Sequence, residues 1–294
     1  MKILGNTSAT FEMNILPETG QSVLMKTAYG TAGKRLQIQC NKQQYGLKYG
    51  SIEPVKVIDK IIKDDSTTIV MPYISSGTFI DFAERSSIAD INDFATNVID
   101  FVNAELNEDT DTEENTFVNA VPLMQNKLKE VREKFNKYVN DNGVSFDVYK
   151  WYLLFEKTAE IIEKLNVIKL IEGSCHGDLT LSNILFSNTK YYLIDYLDSY
   201  IESPVMDIIK LRQDTLHKWV LLMTTDGYDK MYINIVLDYL DKRIQEAFSD
   251  CDWYKYYNIF AAINMFRILP YSLKDGITSK KVTYLYNEIA KLIN

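Results

Sequence analysis

The stretch between His176 and Asp195 constrains this chain most. It begins as His176-Gly177-Asp178-Leu179-Thr180-Leu181-Ser182-Asn183, and the later apolar run Tyr191-Tyr192-Leu193-Ile194 ends on Asp195. A short apolar run bounded by polar residues reads as a strand, so the segment is a loop followed by strand, turn and strand. One carboxylate, an amide and a second carboxylate are thereby aimed at a common point. A hydroxyl attacking the terminal phosphate of a nucleotide needs an oriented acceptor for its proton, and Asp178 suits that task. Magnesium takes one or two protein carboxylates or amides and fills its other positions with water and phosphate oxygens, which suits Asn183 and Asp195. The chemistry expected from these residue types is phosphoryl transfer.

The pattern H-x-D-x-x-x-x-N, then an apolar strand, then Asp, resembles the catalytic and metal-binding segments of the protein-kinase-like superfamily. Gly177 stands where protein kinases usually have Arg, which makes the segment similar to the aminoglycoside phosphotransferase and choline kinase branch, whose members phosphorylate small molecules. Ile194-Asp195-Tyr196 takes the place of Asp-Phe-Gly, and no Ala-Pro-Glu follows, so no protein-kinase activation segment is visible. By the same resemblance Asp207 braces the catalytic loop, and His176 packs and hydrogen-bonds behind it as a structural residue. Cys175 reads as a small apolar filler.

A chain of this kind must supply a phosphate-covering hairpin and a lysine upstream. Val23-Leu24-Met25-Lys26 is an apolar strand ending in Lys, comparable to the V-A-I-K strand of kinases, and the turn Pro17-Glu18-Thr19-Gly20-Gln21 makes a hairpin with the strand before it. Gly5, Asn6, Thr7 and Ser8 would form the phosphate loop; with Gly5 as its single glycine it departs from G-x-G-x-x-G, and hydroxyls and backbone N–H groups would replace the missing glycines. Thr68 to Thr78 resembles the fifth strand and the hinge between kinase lobes. That match implies Met71 at the back of the adenine site, the Pro72 carbonyl accepting from the adenine amino group, and the Ile74 N–H donating to the ring. Proline is tolerable at 72 because only its carbonyl is used. Without the downstream motifs, the same residues are an ordinary strand followed by a Ser-Ser-Gly turn. One expected partner is missing: residues 33–49 contain no acidic residue to pair with Lys26. Gln37, Gln39, Gln43 or Gln44 would have to hydrogen-bond it, or Glu53 would be brought in.

At 294 residues, with 46% hydrophobic and 24% charged residues, the chain is long enough for two lobes with buried cores. A net charge of -8 argues against sequence-independent nucleic-acid binding. Three widely separated cysteines and two histidines give neither a disulfide framework nor a His-rich metal site, which points to a reducing cytosol. No apolar run is long enough for a signal peptide or a membrane span, and Ile3 and Leu4 are expected to open the first strand almost at the terminus, leaving no room for a targeting extension.

Strand-type segments dominate up to about residue 74. Beyond it, helical periodicity runs through residues 81–106, 117–139, 147–165, 206–223 and 228–247. The expected fold is therefore α+β and two-lobed, protein-kinase-like, with an N-terminal nucleotide-binding sheet lobe over residues 1–74 and a helical lobe over 75–294 that carries the catalytic loop and substrate site. The acidic run of residues 105–114 reads as a solvated loop, or as a wall attracting a cationic substrate. The aromatic strip Trp253 to Phe260 is expected to pack between helices. Asp198 and Glu202 are the first candidates for substrate contacts, and equally for capping the next helix. Lys210, Arg212 and Lys218 would recognise an anionic acceptor or nothing.

Taken together, the resemblance implies an ATP- and Mg-dependent kinase, with GTP as the alternative nucleotide. The acceptor would be a hydroxyl of a small molecule such as an amino alcohol, aminoglycoside or sugar. Lys26 would hold the α/β-phosphates, with no nucleic-acid partner and no membrane insertion. Two other readings stay open: a catalytically inactive nucleotide-binding protein on the same fold, and a sugar or polyol kinase of cell-surface polysaccharide assembly.

Overall fold

A computed structural model describes residues 2–4, 9–107, 116–143, 148–187, 190–224 and 227–294. Its first third is built on β1 (Lys2–Leu4), β2 (Ala9–Ile15), β3 (Ser22–Tyr29), helix α1 (Gly30–Gln44), β4 (Ile52–Pro54), β5 (Asp59–Ile62) and β6 (Ser66–Pro72). Five of these strands form an antiparallel sheet in the order β1-β2-β3-β6-β5. The β2–β3 hairpin closes at the expected turn, where Gly20 donates its N–H to Leu16 O and adopts a φ of 69° that glycine tolerates. Helix α1 buries Gly33, Leu36, Cys40 and Gln43, an i, i+3, i+7, i+10 stripe facing the sheet. An added Cβ at Gly33 would lie 3.0 Å from Ala28 O, so the missing side chain is what lets α1 approach β3.

The remainder is mainly helical: α2 (Phe79–Arg85), α3 (Ile88–Asn107), β7 (Phe117–Asn119), α4 (Ala120–Asn142), α5 (Val148–Glu163), β8 (Lys169–Ile171), β9 (Ile184–Ser187), β10 (Lys190–Leu193), α6 (Pro204–Thr215), α7 (Trp219–Met223), α8 (Lys230–Phe248), α9 (Tyr257–Ser272) and α10 (Lys280–Ile293). The fold is α+β with a small sheet lobe and a larger helical lobe. No helix among the described residues is long and apolar enough to cross a membrane.

Three of the expected helices start or end differently, each for a local reason. Residues 81–106 divide because the Ser87 hydroxyl accepts from Asp90 N at 3.2 Å while Asp90 accepts from Ser87 N at 2.9 Å, a capping box that starts a new helix inside the apolar rhythm. Phe117 to Asn119 pair with β8 before α4 begins, and Pro122 sits in the first turn of α4, where its missing N–H costs nothing. Residues 206–223 split at Lys218, whose φ is 52°.

Most buried side chains belong to one core of the helical lobe; a smaller cluster of Ala9, Ala28, Leu36, Cys40, Val55, Ile69 and Met71 lies in the sheet lobe. The two are joined by the β9–β10 hairpin. β10 pairs with β4 in parallel, and Leu185, Tyr192 and Ile194 pack against the sheet-lobe cluster. That hairpin delivers residues 183 and 195 to the junction of the lobes.

Candidate active site

Leu181–Asn183 form a short 3-10 turn preceded by Thr180, and the last residue hands over directly to β9. The Asn183 amide donates to Asp178 O at 2.8 Å and to Asp178 Oδ2 at 3.1 Å. These bonds use its nitrogen and leave its oxygen as an acceptor. Across the hairpin, Ile194 N donates to Asn183 O at 3.1 Å, so Asn183 and Asp195 are held on adjacent rungs. Asp195 has a φ of 60°, a left-handed conformation that Asp tolerates better than most residues. Its Oδ1 accepts from Lys26 Nζ at 2.6 Å. Lys26, on β3, is itself buried and lies 5.8 Å from the centre of the Phe11 ring. Lys26, Asp178, Asn183 and Asp195 therefore meet in one place, linked by two hydrogen-bonded pairs and adjacent rungs of one hairpin.

Helix α6 fixes the loop from behind. Ser203 caps it, its hydroxyl accepting from Val205 N, and Pro204 opens it. Residues 207, 210 and 214 then fall on one face at i, i+3, i+7. Asp207 accepts from the N–H groups of His176 at 2.6 Å, Gly177 at 2.8 Å and Leu179 at 3.4 Å. Asp214 accepts from Leu181 N at 2.8 Å. Between them Lys210 Nζ sits 2.9 Å from Asp178 Oδ1. Burial pushes the Asp207 carboxyl up to about 7 against the pull of its N–H donors and of Lys42. Asp214 is likewise pushed up to about 7 by burial, against the Leu181 N–H. Asp178 goes the other way: burial raises it, but Lys210, Arg267 and His176 together leave it below the usual carboxylate range.

His176 is fully buried, and burial holds its imidazole down at about 4. The ring is thus neutral. Asp178 N donates to Nδ1 at 3.2 Å, so Nε2 carries the proton and donates to Ile194 O at 2.8 Å. The ring also packs, tilted by 37°, against Tyr196 at 4.2 Å between centroids. It links the 176–183 loop to the end of the β9–β10 hairpin and has no titrating role near neutral pH.

On the sheet side, Met71 is buried and accepts at its sulfur from Gln43 Nε2 at 3.3 Å. Tyr73 N donates to Ser22 O, so by the alternation of an antiparallel ladder the Pro72 carbonyl turns away from β3. The Ile74 N–H has no backbone partner among the described residues. Phe11, Ile74, Leu185 and Ile194, partly exposed, border this region from both lobes. Gly5, Asn6, Thr7 and Ser8 lie outside the described residues, as do residues 108–114 of the acidic run; Glu105, at its start, is buried in α3.

Several expected partners are engaged elsewhere. Lys26 is paired by Asp195, because Gln37 bonds Thr67, Gln43 bonds Val55 O, and Glu53 bonds Lys190 and Lys48. The charge that α1 sends across to the helical lobe is a cation: Lys42 Nζ reaches Glu202 Oε2 at 2.6 Å and Leu197 O at 2.8 Å. Glu202 accepts in addition from Ser199 N at 2.6 Å, so both its oxygens are used away from any acceptor, and the cap of α6 is Ser203 instead. Asp198 is exposed. Arg212 makes a two-pronged ion pair with Asp241 at 2.9 and 3.0 Å and stacks 4.2 Å from Tyr257, which places the aromatic strip in the core. Lys218 pairs with Asp238. Sequence reasoning missed Lys42, Asp214 and Arg267; the i, i+3, i+7 spacing of polar residues in α6 was the available signal for Asp214.

No family model matches this sequence, and no curated protein matches it either. Similarity is found in solved structures. A protein assigned as a fructosamine-3-kinase from Haemophilus somnus 129PT superposes with a TM-score of 0.61 at 10% identity, covering 100% of this chain and 90% of that one. An amicoumacin kinase in complex with AMP-PNP, Ca2+ and Ami gives 0.57 at 12% identity, over 99% and 86%. The GDP complex of an aminoglycoside 2'-phosphotransferase variant gives 0.58 at 11% identity, over 99% and 90%. The chain shares the fold of these small-molecule kinases along its whole length.

Proposed function

We propose that this protein is an ATP- and Mg-dependent phosphotransferase that moves the γ-phosphate to a hydroxyl of a small molecule, the type of reaction carried out by the aminoglycoside phosphotransferase and choline kinase branch. The observation that carries this reading is the meeting of Lys26 with Asp195 at 2.6 Å across the lobes, beside an Asp178 that Asn183 holds in place. The nucleotide would lie between a sheet lobe of residues 1–74 and a helical lobe of residues 75–294, with adenine against Met71, Pro72 and Ile74. ATP is the primary donor and GTP the alternative, and the protein would work in the cytoplasm.

A magnesium ion fits the donor set: the free amide oxygen of Asn183 and the second oxygen of Asp195 make two hard ligands, and no group of three or more His, Cys, Asp or Glu competes among the described residues. When bound, it neutralises developing charge on the β- and γ-phosphates. The protein's own part is positional. Asp178, ionised and with 23% of its side chain still exposed, takes the proton of the acceptor hydroxyl as its oxygen bonds to the γ-phosphorus. The bond from that phosphorus to the β–γ bridging oxygen breaks, and the nucleoside diphosphate leaves. Lys26 gives its ammonium to the phosphates in place of Asp195.

Thermal shift with Mg-ATP, followed by diphosphate release across a library of hydroxyl compounds, tests the proposal. Asp178→Asn and Asp195→Ala should each abolish transfer while the melting temperature stays within a few degrees of wild type. Turnover at the wild-type rate in both variants would refute it. A second reading, a nucleotide-binding protein without transfer, is favoured by one observation: α1 offers Lys26 no acidic partner. Stabilisation by nucleotide with no transfer to any acceptor would select it.

A further inference from the structure

The groups around Asp178 on the acceptor side are unusual for a chain of net charge -8. Lys210, 4% exposed, already contacts the catalytic carboxylate. Arg267 lies on α9, which packs against α6, and its charge adds to burial in lowering the Lys210 pKa. Arg267 forms no ion pair among the described residues, and its Nη1 is buried without any hydrogen-bond partner. Its guanidinium lies 5.8 Å from the centre of the Tyr200 ring, and Lys127 of α4 approaches the same ring at 6.0 Å. The Tyr200 hydroxyl and Ser199 Oγ, from the loop that follows β10, are also buried and unpartnered. Helix α9, helix α4 and the loop after β10 thus meet at the Tyr200 ring, where Arg267 Nη1 and the Tyr200 hydroxyl lack partners.

An unpaired guanidinium N–H held out of water is costly, and the cost is recovered when an oxyanion arrives, because a guanidinium offers paired donors matched to carboxylate and phosphate. An ammonium-bearing alcohol at the same place would face Arg267 and Lys210, since Asp178 is already paired and Glu202 is tied to Lys42, which leaves the exposed Asp198 as the one unpaired carboxylate of the loop among the described residues. We propose that the acceptor is an alcohol carrying an oxyanionic group, carboxylate or phosphate, which Arg267 grips with Tyr200 and Ser199 while the hydroxyl is presented to Asp178. The inference rests on the phosphotransferase reading above. The reaction is the balanced one already described: the acceptor oxygen bonds to the γ-phosphorus, the bond to the leaving diphosphate breaks, and the hydroxyl proton passes to Asp178. The acceptor's own oxyanion is unchanged. Lys210, 2.9 Å from Asp178, is shared between that carboxylate and the incoming anion. Acceptors with the opposite charge are disfavoured by the same two cations.

The experiment compares Mg-ATP-dependent transfer to D-glucuronate and D-glycerate, to glycerol 3-phosphate, to neutral glucose, and to choline and glucosamine, with products identified by mass. At least one anionic acceptor is expected to exceed glucose in kcat/KM by tenfold or more, and the carboxylate and phosphate arms tell which oxyanion is read. Arg267→Ala should raise KM for that acceptor about ten- to hundredfold, the loss of one charge-assisted bond, with KM for ATP unchanged, and Arg267→Lys should recover part of it. A merely structural arginine would instead lower the melting temperature and affect all acceptors alike, which would overturn the assignment. Preferential transfer to choline or glucosamine, improved by Arg267→Ala, also overturns it and leaves the phosphotransferase reading standing. Absence of transfer to every acceptor, with Mg-ATP still stabilising the protein, removes both.

Discussion

Gly177→Ala is the sharpest probe of how the loop is held. Gly177 has a φ of 81°, and a Cβ built there would lie 2.0 Å from Leu197 O. The left-handed backbone costs an alanine about 1–2 kcal/mol. The overlap forces Leu197 O away, and that oxygen accepts from Lys42 Nζ at 2.8 Å while Leu197 N donates to His176 O at 3.0 Å. Losing a charge-assisted bond costs about 1.5–3 kcal/mol and a neutral one about 1 kcal/mol. The sum is about 3.5–6 kcal/mol, or roughly 7–15 °C in melting temperature for a chain of this size. Gly20→Ala supplies the control, since Gly20 has a φ of 69° but nothing within 4 Å of its added Cβ. That variant should lose only the backbone term, roughly 2–5 °C. Differential scanning fluorimetry of the two proteins separates strain from collision. If Gly177→Ala melts within about 2 °C of Gly20→Ala, the close approach of the catalytic loop to residue 197 is wrong.

The other expectations test the same framework at separate points. Asp207→Asn replaces one acceptor oxygen by a donor facing backbone N–H groups, so it should cost about 3–5 kcal/mol by melting and depress kcat more than KM for ATP. Lys42→Met removes the tie to Glu202, whose side chain is 42% exposed so that solvent screening holds its loss near 1 kcal/mol, together with the charge-assisted bond to Leu197 O; the total should be about 2.5–4 kcal/mol, read by denaturant titration. His176 is held at about 4 in the fold against 6.5 when free, so the unfolded chain carries the extra proton between those values. Its contribution to stability is complete above pH 6.5 and is lost as pH falls toward 4, by up to about 3 kcal/mol. The difference in stability between wild type and His176→Asn, followed over that range, should carry this slope, and a pH-independent difference would contradict it.

How much of this was legible follows from how local each signal is. The 176–195 segment could be read because loop, turn and strand each have their own signature, and Lys26 because it ends an apolar strand at the right remove. The break at Ser86 and Ser87 was also written locally, in a Ser-x-x-Asp box, but the apolar period on both sides of it dominates a window-based reading. Lys42 and Arg267 were invisible for a different reason. Their contacts, to Glu202 and to Tyr200, span more than half the sequence or cross between elements whose packing no periodicity encodes. The missing acidic residue in α1 was read correctly as an absence, but the sequence contains no hint that a lysine on the same helix would carry the link between lobes.

That substitution alters the logic of the site. Where a helix-borne carboxylate would hold Lys26 ready for phosphates, here the ammonium is held by Asp195, one of the residues suited to the metal. The lobes are tied independently, through Lys42 to Glu202 and Leu197 O, at a point that also fixes the loop carrying Ser199 and Tyr200. Opening the Lys26–Asp195 pair for a metal-nucleotide complex therefore need not loosen the lobes, because the tie and the exchangeable pair use different cations. The same α6 face that braces the 176–183 loop with Asp207 and Asp214 presents Lys210 to Asp178, so the charge state of the proposed base and the position of its loop are set by one rigid element. Movement of α6 would disturb both together, whereas α1 could shift with the nucleotide and leave the acceptor side in place.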